Sequence, residues 1–322
     1  MNDEVAILMA TYNGEKYLEE QIESIIDQTY KNWILYIRDD NSKDNTQKII
    51  DEYVKLYPNK IVQIKDNITA GGACENFMCL LKNVHNNEKY KMYMFCDQDD
   101  YWLKDKVEIT VNRYLNIKNR EKPVLIHTDL YVTDSNLNLI SKSFIKYSGL
   151  NGKRKKFNNY LIENNATGCT MLINDKLADL VKFNIKNIMM HDWYFALIAS
   201  AFGEVVFLNK STIKYRQHSN NTVGAKTNRG IKNIYKIAKR AIQNNSIIKG
   251  IKGEKRYSDK LFKQAESFRK YYYNMLNKDK KNIIDEFCSI NKSTKFTRIY
   301  KIVRYRFYKQ GLIKLIGEFL FI

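Results

Sequence analysis

Four short apolar runs, each followed by a helical stripe, fill residues 5–115 and restrict the fold more than anything else in the chain. Val5-Ala6-Ile7-Leu8-Met9 reads as a buried strand, Asn13-Gly14 turns the chain, and Leu18, Ile22, Ile25 and Ile26 form a helical stripe running to Gln28. A second strand, Trp33 to Ile37, ends in Arg38-Asp39-Asp40-Asn41-Ser42 and precedes a helix over Thr46 to Leu56, capped by Ser42 or Asp44. The third strand, Ile61 to Ile64, leads through Gly71-Gly72 to a helix carrying Phe77, Leu80, Leu81 and Val84. The fourth, Tyr90 to Cys96, is followed by a helix marked by Val107, Val111 and Leu115. Such alternation predicts an α/β fold, a mostly parallel sheet with helices on both faces. Ligands of these sheets bind beyond the carboxyl ends of the strands. Three ends carry polar signatures, Thr11-Tyr12-Asn13, Asp39-Asp40 and Asp97 to Asp100, and these are expected to converge on one crevice.

The last of them is the most informative chemically. Asp97-Gln98-Asp99-Asp100 sets three carboxylates at the end of a buried strand, where they repel one another and lose hydration. Folding tolerates that when something positive sits there. Oxygen ligands of this kind suit Mg²⁺ or Mn²⁺, ions that commonly carry phosphate. The competing reading is a loop of solvated acids with a helix N-cap at Asp100. After Pro123 the pattern changes: Val124 to His127 and Leu130 to Thr133 look like strand pieces, and Lys153 to Lys156 like an exposed loop. Cys169 to Ile173 is strand-like, Asp192 to Ala201 helical, and Val205 to Tyr215 again strand. No internal repeat, G-x-G-x-x-G fingerprint or Walker phosphate loop is present.

Composition narrows the class. At 322 residues and 44% hydrophobic, the chain can bury one large domain, or a core domain plus an appendage. Its 5 cysteines form no C-x-x-C pair and follow no secretory signal, which points to a reducing cytoplasm. No apolar run is long enough to span a bilayer. The net charge of +19 is concentrated: residues 229–322 hold 24 Lys and Arg against 7 Asp and Glu, whereas residues 1–228 hold 30 against 28. A boundary between domains 1–228 and 229–322 is therefore expected.

Six segments, in order, resemble family 2 glycosyltransferases of the GT-A fold, especially bacterial rhamnosyltransferase-like members. They are Ala10-Thr11-Tyr12-Asn13-Gly14, Asp39 to Asp44, Asp97 to Trp102, Gly168-Cys169-Thr170-Met171, His191-Asp192-Trp193 and Tyr215-Arg216-Gln217-His218, within roughly residues 5–223. The resemblance implies a GT-A nucleotide-sugar domain with a C-terminal basic helical region. It places Thr11, Tyr12, Asn13, Asp39, Asp40, Asn67, Asp97 and Arg216 at the donor nucleotide. Asp40 would read the base, because a carboxylate accepts the N3–H of a pyrimidine; the competing role of Asp39-Asp40 is a helix cap. Arg216 would offset diphosphate charge or pair with an acid at the sheet edge.

The same resemblance makes Asp97, Asp99 and Asp100 a D-x-D element, with Asp99, Asp100 and His218 around a divalent metal. Which of Asp99 and Asp100 bonds it directly stays open. Asp192 would be the general base that takes the acceptor hydroxyl proton in a single inverting displacement; its alternative role is an N-cap. Many members carry Glu-Asp where this chain has His191-Asp192. Gly168, Cys169, His191 and Trp193 would lie at the acceptor or sugar, with Gly168 allowing close backbone approach or simply turning into a strand. Cys169 has no base partner, which argues against a nucleophile. His85 and His127 are read as structural.

The basic tail reads as helical. Ile231, Ile234, Tyr235, Ala238, Ala241 and Ile242 make one stripe, Phe296, Ile299, Tyr300, Val303 and Phe307 another, with Lys and Arg interleaved, and the chain closes on apolar Leu312 to Ile322. Basic amphipathic helices with aromatics suit an anionic membrane surface, where each basic residue contributes about 1 kcal/mol. The competing reading is a helical appendage packed on the catalytic domain or on a second subunit of a homo-oligomer. No RNA-binding, zinc-finger or helix-turn-helix signature supports nucleic acid.

The expectation is a metal-dependent, inverting glycosyltransferase. With Mn²⁺ or Mg²⁺ it would move a sugar, rhamnose by resemblance, from a dTDP- or UDP-type donor to a glycan or lipid-linked acceptor. It would be cytoplasmic and peripheral at the inner face of the cell membrane, in surface polysaccharide synthesis. Two alternatives stand beside it. A sugar nucleotidyltransferase needs a Gly-rich phosphate loop that Ala10 to Gly14 does not supply. A non-enzymatic basic membrane-surface protein has no reason to keep acids at 40, 97, 99, 100 and 192.

Overall fold

The computed structural model describes residues 3–218 and 246–310, the backbone alone for 246–255. The expected stripe over 231–242 and the apolar end at 312–322 lie outside the described residues. Among these, no helix is long and apolar enough to cross a membrane.

The first apolar runs form strands because they can bury on both sheet faces at once. Val5 through Met9 are each 0% exposed, which a continuous rather than alternating pattern requires. In chain order come β1 (Val5–Thr11), α1 (Leu18–Ile26), β2 (Trp33–Asp39), α2 (Thr46–Leu56), β3 (Ile61–Gln63), α3 (Ala73–Asn87) and β4 (Met92–Asp97). Then follow β5 (Tyr101–Trp102), α4 (Lys106–Leu115), β6 (Val124–Thr133), β7 (Leu139–Ser141), α5 (Phe144–Tyr147) and α6 (Phe157–Tyr160). The remainder of this part is β8 (Met171–Asn174), α7 (Asp175–Ala178), α8 (His191–Phe202) and β9 (Glu204–Arg216).

One nine-stranded sheet runs β3-β2-β1-β4-β8-β6-β9-β5, with β7 on β6. β3, β2, β1 and β4 are parallel neighbours, as are β6 and β9, while β8, β7 and β5 run against theirs. The sheet is thus mixed and curled, with helices on both sides. Helix α3 packs on β1 and β2, and α8 on β6 and β9.

Local differences from the sequence reading have physical causes. The pieces Val124 to His127 and Leu130 to Thr133 are a single strand, because an irregularity at Thr128/Asp129 interrupts the pairing with β9 without ending the strand. Strand β8 begins at Met171; Cys169 lies in the 3₁₀ turn Gly168–Thr170 before it. Strands β5 and β7 are too short to leave a periodic signal. Asn45 occupies the N-cap of α2, and it is Asp44 whose carboxylate accepts the Thr46 N–H at 3.0 Å, while Ser42 is engaged elsewhere.

The described residues fall into two compact units: 3–144, 166–183 and 190–218 hold the sheet; 145–165, 184–189 and 246–310 form the other. The second unit is built from helices Ser246–Tyr272, Lys278–Ser289 and Lys295–Tyr305 with α6. Its core is aromatic, with Phe157 5.6 Å from Phe268, Phe268 4.6 Å from Tyr272, and Phe287 5.1 Å from Phe307.

Candidate active site at the strand ends

Register brings the expected signatures together. Thr11 stands opposite Asp39 across β1 and β2, and Ala10 opposite Asp97 across β1 and β4. The Thr11 hydroxyl donates to Asp39 Oδ1 at 2.8 Å, and the other Asp39 oxygen accepts the Ser42 N–H at 2.9 Å. Asn13 enters the left-handed region at φ 48°, where asparagine is tolerated, so that its N–H reaches Ser42 Oγ and its Oδ1 accepts the Lys43 N–H, both at 2.8 Å. The loops after β1 and β2 are thereby one hydrogen-bonded body, with the Tyr12 ring left 56% exposed on it.

A buried arginine organises the next loop. Arg38, 1% exposed, grips Asp66 with two bonds of 2.9 and 2.7 Å, donates to Asn76 Oδ1 at 2.8 Å and reaches the Ile68 carbonyl. Such a fork-to-carboxylate pair fixes both groups in a plane. Asp40, 5% exposed, accepts the N–H groups of Ala70 and Gly71 at 2.6 and 2.9 Å. Asn67 is an exposed member of the same loop.

The acids after β4 are crowded. His218 Nε2 lies 2.9 Å from Asp99 Oδ2. Asp100 is fully buried: Oδ1 accepts the Arg216 N–H at 3.1 Å, and Oδ2 has no partner. Asp97, Asp100 and Cys169 present ligand atoms within 4.8 Å of one another. Burial, then the Asp99 and Asp192 charges, pushes Asp97 up to about 7. Burial raises Asp99 as well, opposed by His218, and raises Asp100 with help from Asp99 and Asp97. The Asp97 and Asp100 carboxylates, with an orphaned buried oxygen, suit a hard divalent cation, while the Asp99–His218 pair is not part of that cluster. Burial, then Asp100 and Asp97, holds the Cys169 thiol protonated, unlike an activated nucleophile.

Asp192 lies in the first turn of α8, inside the helix rather than at its cap, which is Met190. Its oxygens accept the N–H groups of Trp193 at 2.5 Å and Gly168 at 3.1 Å. Burial nonetheless pushes it up to about 7, outweighing both bonds. His191 is packed inward, 4.4 Å from Phe77 and also against Phe95 and Phe195, with both ring nitrogens unpartnered. Burial drops it to about 3, so the ring is neutral. Trp193 is 7% exposed. A Cβ on Gly168 would stand 2.8 Å from His191 Nε2 and in ordinary contact with Asp192 Cβ at 3.6 Å, so a glycine is what lets the His191 ring lie beside Asp192 here. Gly168→Ala is expected to displace the ring and Asp192 with it. The cost is about 1–3 kcal/mol of stability and roughly 10²-fold in turnover, read by thermal melting and a steady-state assay. An unchanged melt would mean that the ring gives way freely.

Several contributors left weak traces in the sequence. Gln98 clasps Tyr12, accepting its N–H at 2.8 Å and donating to its carbonyl at 3.0 Å, and a Cβ on Gly14 would overlap Gln98 Oε1 at 2.3 Å. Tyr17 lies between Arg216, 4.3 Å over its ring, and His218, 5.1 Å away. Arg216 donates to the Asp99 and Ser135 carbonyls and pairs with Glu20, so its side chain braces the acid turn. Lys106, fully buried 4.3 Å over Trp102, is lowered to about 8 by burial. The sequence pattern ends the second strand at Ile37 and puts Arg38 after it, whereas β2 runs on to Asp39 and holds the cation inside it.

Comparison with known proteins agrees with this geometry. The profile of Glycosyl transferase family 2 matches residues 6–180. The chain is 35% identical over 226 residues to the dTDP-rhamnosyl transferase RfbG of Shigella flexneri, covering 67% of this chain and 74% of that one. It is 25% identical over 215 residues to the glucosyltransferase WfgD of Escherichia coli, whose full name is UDP-Glc:alpha-D-GlcNAc-diphosphoundecaprenol beta-1,3-glucosyltransferase, covering 66% and 76%. Residues 1–349 of S. aureus TarS share the fold at a TM-score of 0.51 and 15% identity, over 94% of this chain and 72% of that one. A matched profile over more than half the chain sets aside the nucleotidyltransferase and the non-enzymatic surface protein. The chain belongs to glycosyl transferase family 2 and is a GT-A glycosyltransferase.

Proposed function

We propose that the chain is an inverting, cation-assisted glycosyltransferase. It moves rhamnose, or another hexose, from a dTDP- or UDP-linked donor to a hydroxyl of a glycan or lipid-linked acceptor. It works peripherally at the inner face of a bacterial membrane, with residues 1–228 as the catalytic domain and 229–322 as the docking part. The observation that carries the chemistry is Asp192, a carboxylate pushed up to about 7 in the first turn of α8. A base with that pKa accepts a proton at neutral pH and is matched to a hydroxyl that acidifies only as its C–O bond forms. The acceptor oxygen bonds to the anomeric carbon as that carbon's bond to the diphosphate oxygen breaks. The hydroxyl proton goes to Asp192, and the electron pair leaves with the nucleoside diphosphate.

Asp97 and Asp100 would hold the divalent cation, with Asp99 and His218 beside them, and when bound it supplies neutralisation of the diphosphate charge. Thr11, Tyr12, Asn13, Asp39, Asp40, Asn67, Asp97 and Arg216 form the donor side in this proposal. Asp40 Oδ2 keeps a lone pair beyond the Gly71 N–H for a pyrimidine N3–H, and the exposed Tyr12 ring offers a face for the base. Gly168, Cys169, His191 and Trp193 serve the sugar side as the floor on which Asp192 stands. Rhamnose is favoured because the 35% identical relative is named a dTDP-rhamnosyl transferase.

A thermal-shift panel of dTDP-, UDP- and GDP-sugars, with and without Mn²⁺, tests this. At a hundred times its dissociation constant a ligand adds about 2.7 kcal/mol, or roughly 4 °C for a chain of this size. The dTDP-sugar with Mn²⁺ is expected to give the largest shift, and chelator to remove most of it. A panel in which no nucleotide moves the melt, with or without the ion, would overturn the proposal.

A further inference from the structure

The second unit carries an apolar ridge that its own core does not use. Phe296, Tyr300 and Val303 are 89%, 64% and 57% exposed, and spacings of four and three residues put them in one stripe of helix Lys295–Tyr305. The helix already has a buried side: Ile302 is 1% exposed, and Phe307, just past its end, is 0% exposed against Phe287. At about 100° per residue, Lys295 and Arg304 flank the stripe on either side, and both are exposed. Residues 290–310 hold seven Lys and Arg and no Asp or Glu. Among the seven, Lys301 pairs with Glu286 at 3.0 Å.

We infer that this ridge is the surface by which the chain docks on an anionic lipid bilayer, Phe296, Tyr300 and Val303 entering the headgroup–acyl boundary while Lys295 and Arg304 meet lipid phosphates. The inference rests on the proposed membrane-side role for its purpose, but its observations are independent of the transfer chemistry. Charge decides between occupants. A second copy meeting this face across a two-fold axis would set one all-basic segment against another, which repels. Nucleic acid takes the charges and stacks on aromatic rings, but offers nothing to an aliphatic valine between them. An anionic bilayer takes both components: apolar side chains enter the boundary, tyrosine suits its interface, and basic side chains extend to the phosphates.

The test is flotation of the full chain with phosphatidylglycerol-containing and pure phosphatidylcholine vesicles, with no donor or acceptor present. The wild type is expected to float with the anionic vesicles at physiological salt, at least tenfold more than with the neutral ones. A Phe296→Ser/Tyr300→Ser/Val303→Ser variant is expected to lose at least tenfold of that partition, and Lys295→Glu/Arg304→Glu likewise. Donor-induced thermal shift in both variants is expected to stay at the wild-type value, which also verifies folding. Equal flotation of wild type and triple variant would overturn the inference. So would equal binding to neutral vesicles, or a triple variant that merely turns a dimer into a monomer on gel filtration. A wild type that floats but binds no nucleotide sugar would refute the transferase proposal and leave this surface standing.

Discussion

Asp192→Asn is expected to lower turnover by about 10³-fold while the donor still shifts the melting temperature, because general-base contributions run at roughly 10²–10⁴. The amide keeps the volume, and its single oxygen can still accept one of the Gly168 and Trp193 N–H groups, but it cannot take a proton. Wild-type activity should fall as pH drops through about 7, where the carboxylate protonates. Asp97 rises to about 7 as well and feels the Asp192 charge, so the acid limb belongs to the pair rather than to one residue. Stability moves the other way. A carboxyl whose folded pKa lies above its unfolded value of about 3.9 holds a proton in the native state that the unfolded chain releases. Its stabilising protonation is complete below about 4 and is lost as pH rises to about 7. Measured with chelator present, Asp192→Asn should therefore melt above wild type at pH 8 and level with it at pH 4. Full turnover in the variant would remove Asp192 from the chemistry. A lower melt at pH 8 would remove the desolvation argument.

That trade between burial and charge also explains what could be read in advance. β1, β2 and β4 were legible because each is largely buried and leaves an apolar run, Val5 to Met9 above all. The strand-end acids were legible because no core tolerates Asp97, Asp99 and Asp100 in a row without a purpose. Beyond Pro123 the pairing is irregular and antiparallel pieces enter, so the signal breaks up: β7 is three residues long and β8 four. Contacts across long sequence separations left no local trace. Tyr17 meets Arg216 and His218, and Gln98 meets Tyr12 across 86 positions, through chain closure that no periodicity encodes. His191 misled in a different way. Its place before Asp192 suggested a group facing the sugar or acceptor, yet its ring packs at a tilt against Phe77 with neither nitrogen bonded. A neutral imidazole there fills space as a flat apolar group does.

Arg38→Met is expected to be the most damaging change outside the reacting groups. Methionine replaces much of the stem volume but supplies none of the donors that Asp66, Asn76 and the Ile68 carbonyl accept. Breaking a buried pair from one side typically costs 3–5 kcal/mol. Asp66 is 20% exposed and can turn toward water, which favours the lower end, about 3 kcal/mol. For a chain of this size that is a fall of roughly 4–5 °C in melting temperature. Asp66→Asn keeps a partial acceptor for the guanidinium and should lose clearly less. Arg38→Lys should lie close to Met, because one ammonium cannot reproduce a two-bonded fork. The second effect is on binding. Arg38 holds the loop whose Ala70 and Gly71 N–H groups orient Asp40, so its loss frees that carboxylate to swing. Donor-induced thermal shift should drop with stability in Arg38→Met, whereas in Asp192→Asn it should not. If Arg38→Met melts within a degree of wild type, the guanidinium is not what holds this loop. If it melts low but binds donor undiminished, Asp40 keeps its orientation by other means, and the link from a buried strand cation to the nucleotide site is broken at that step.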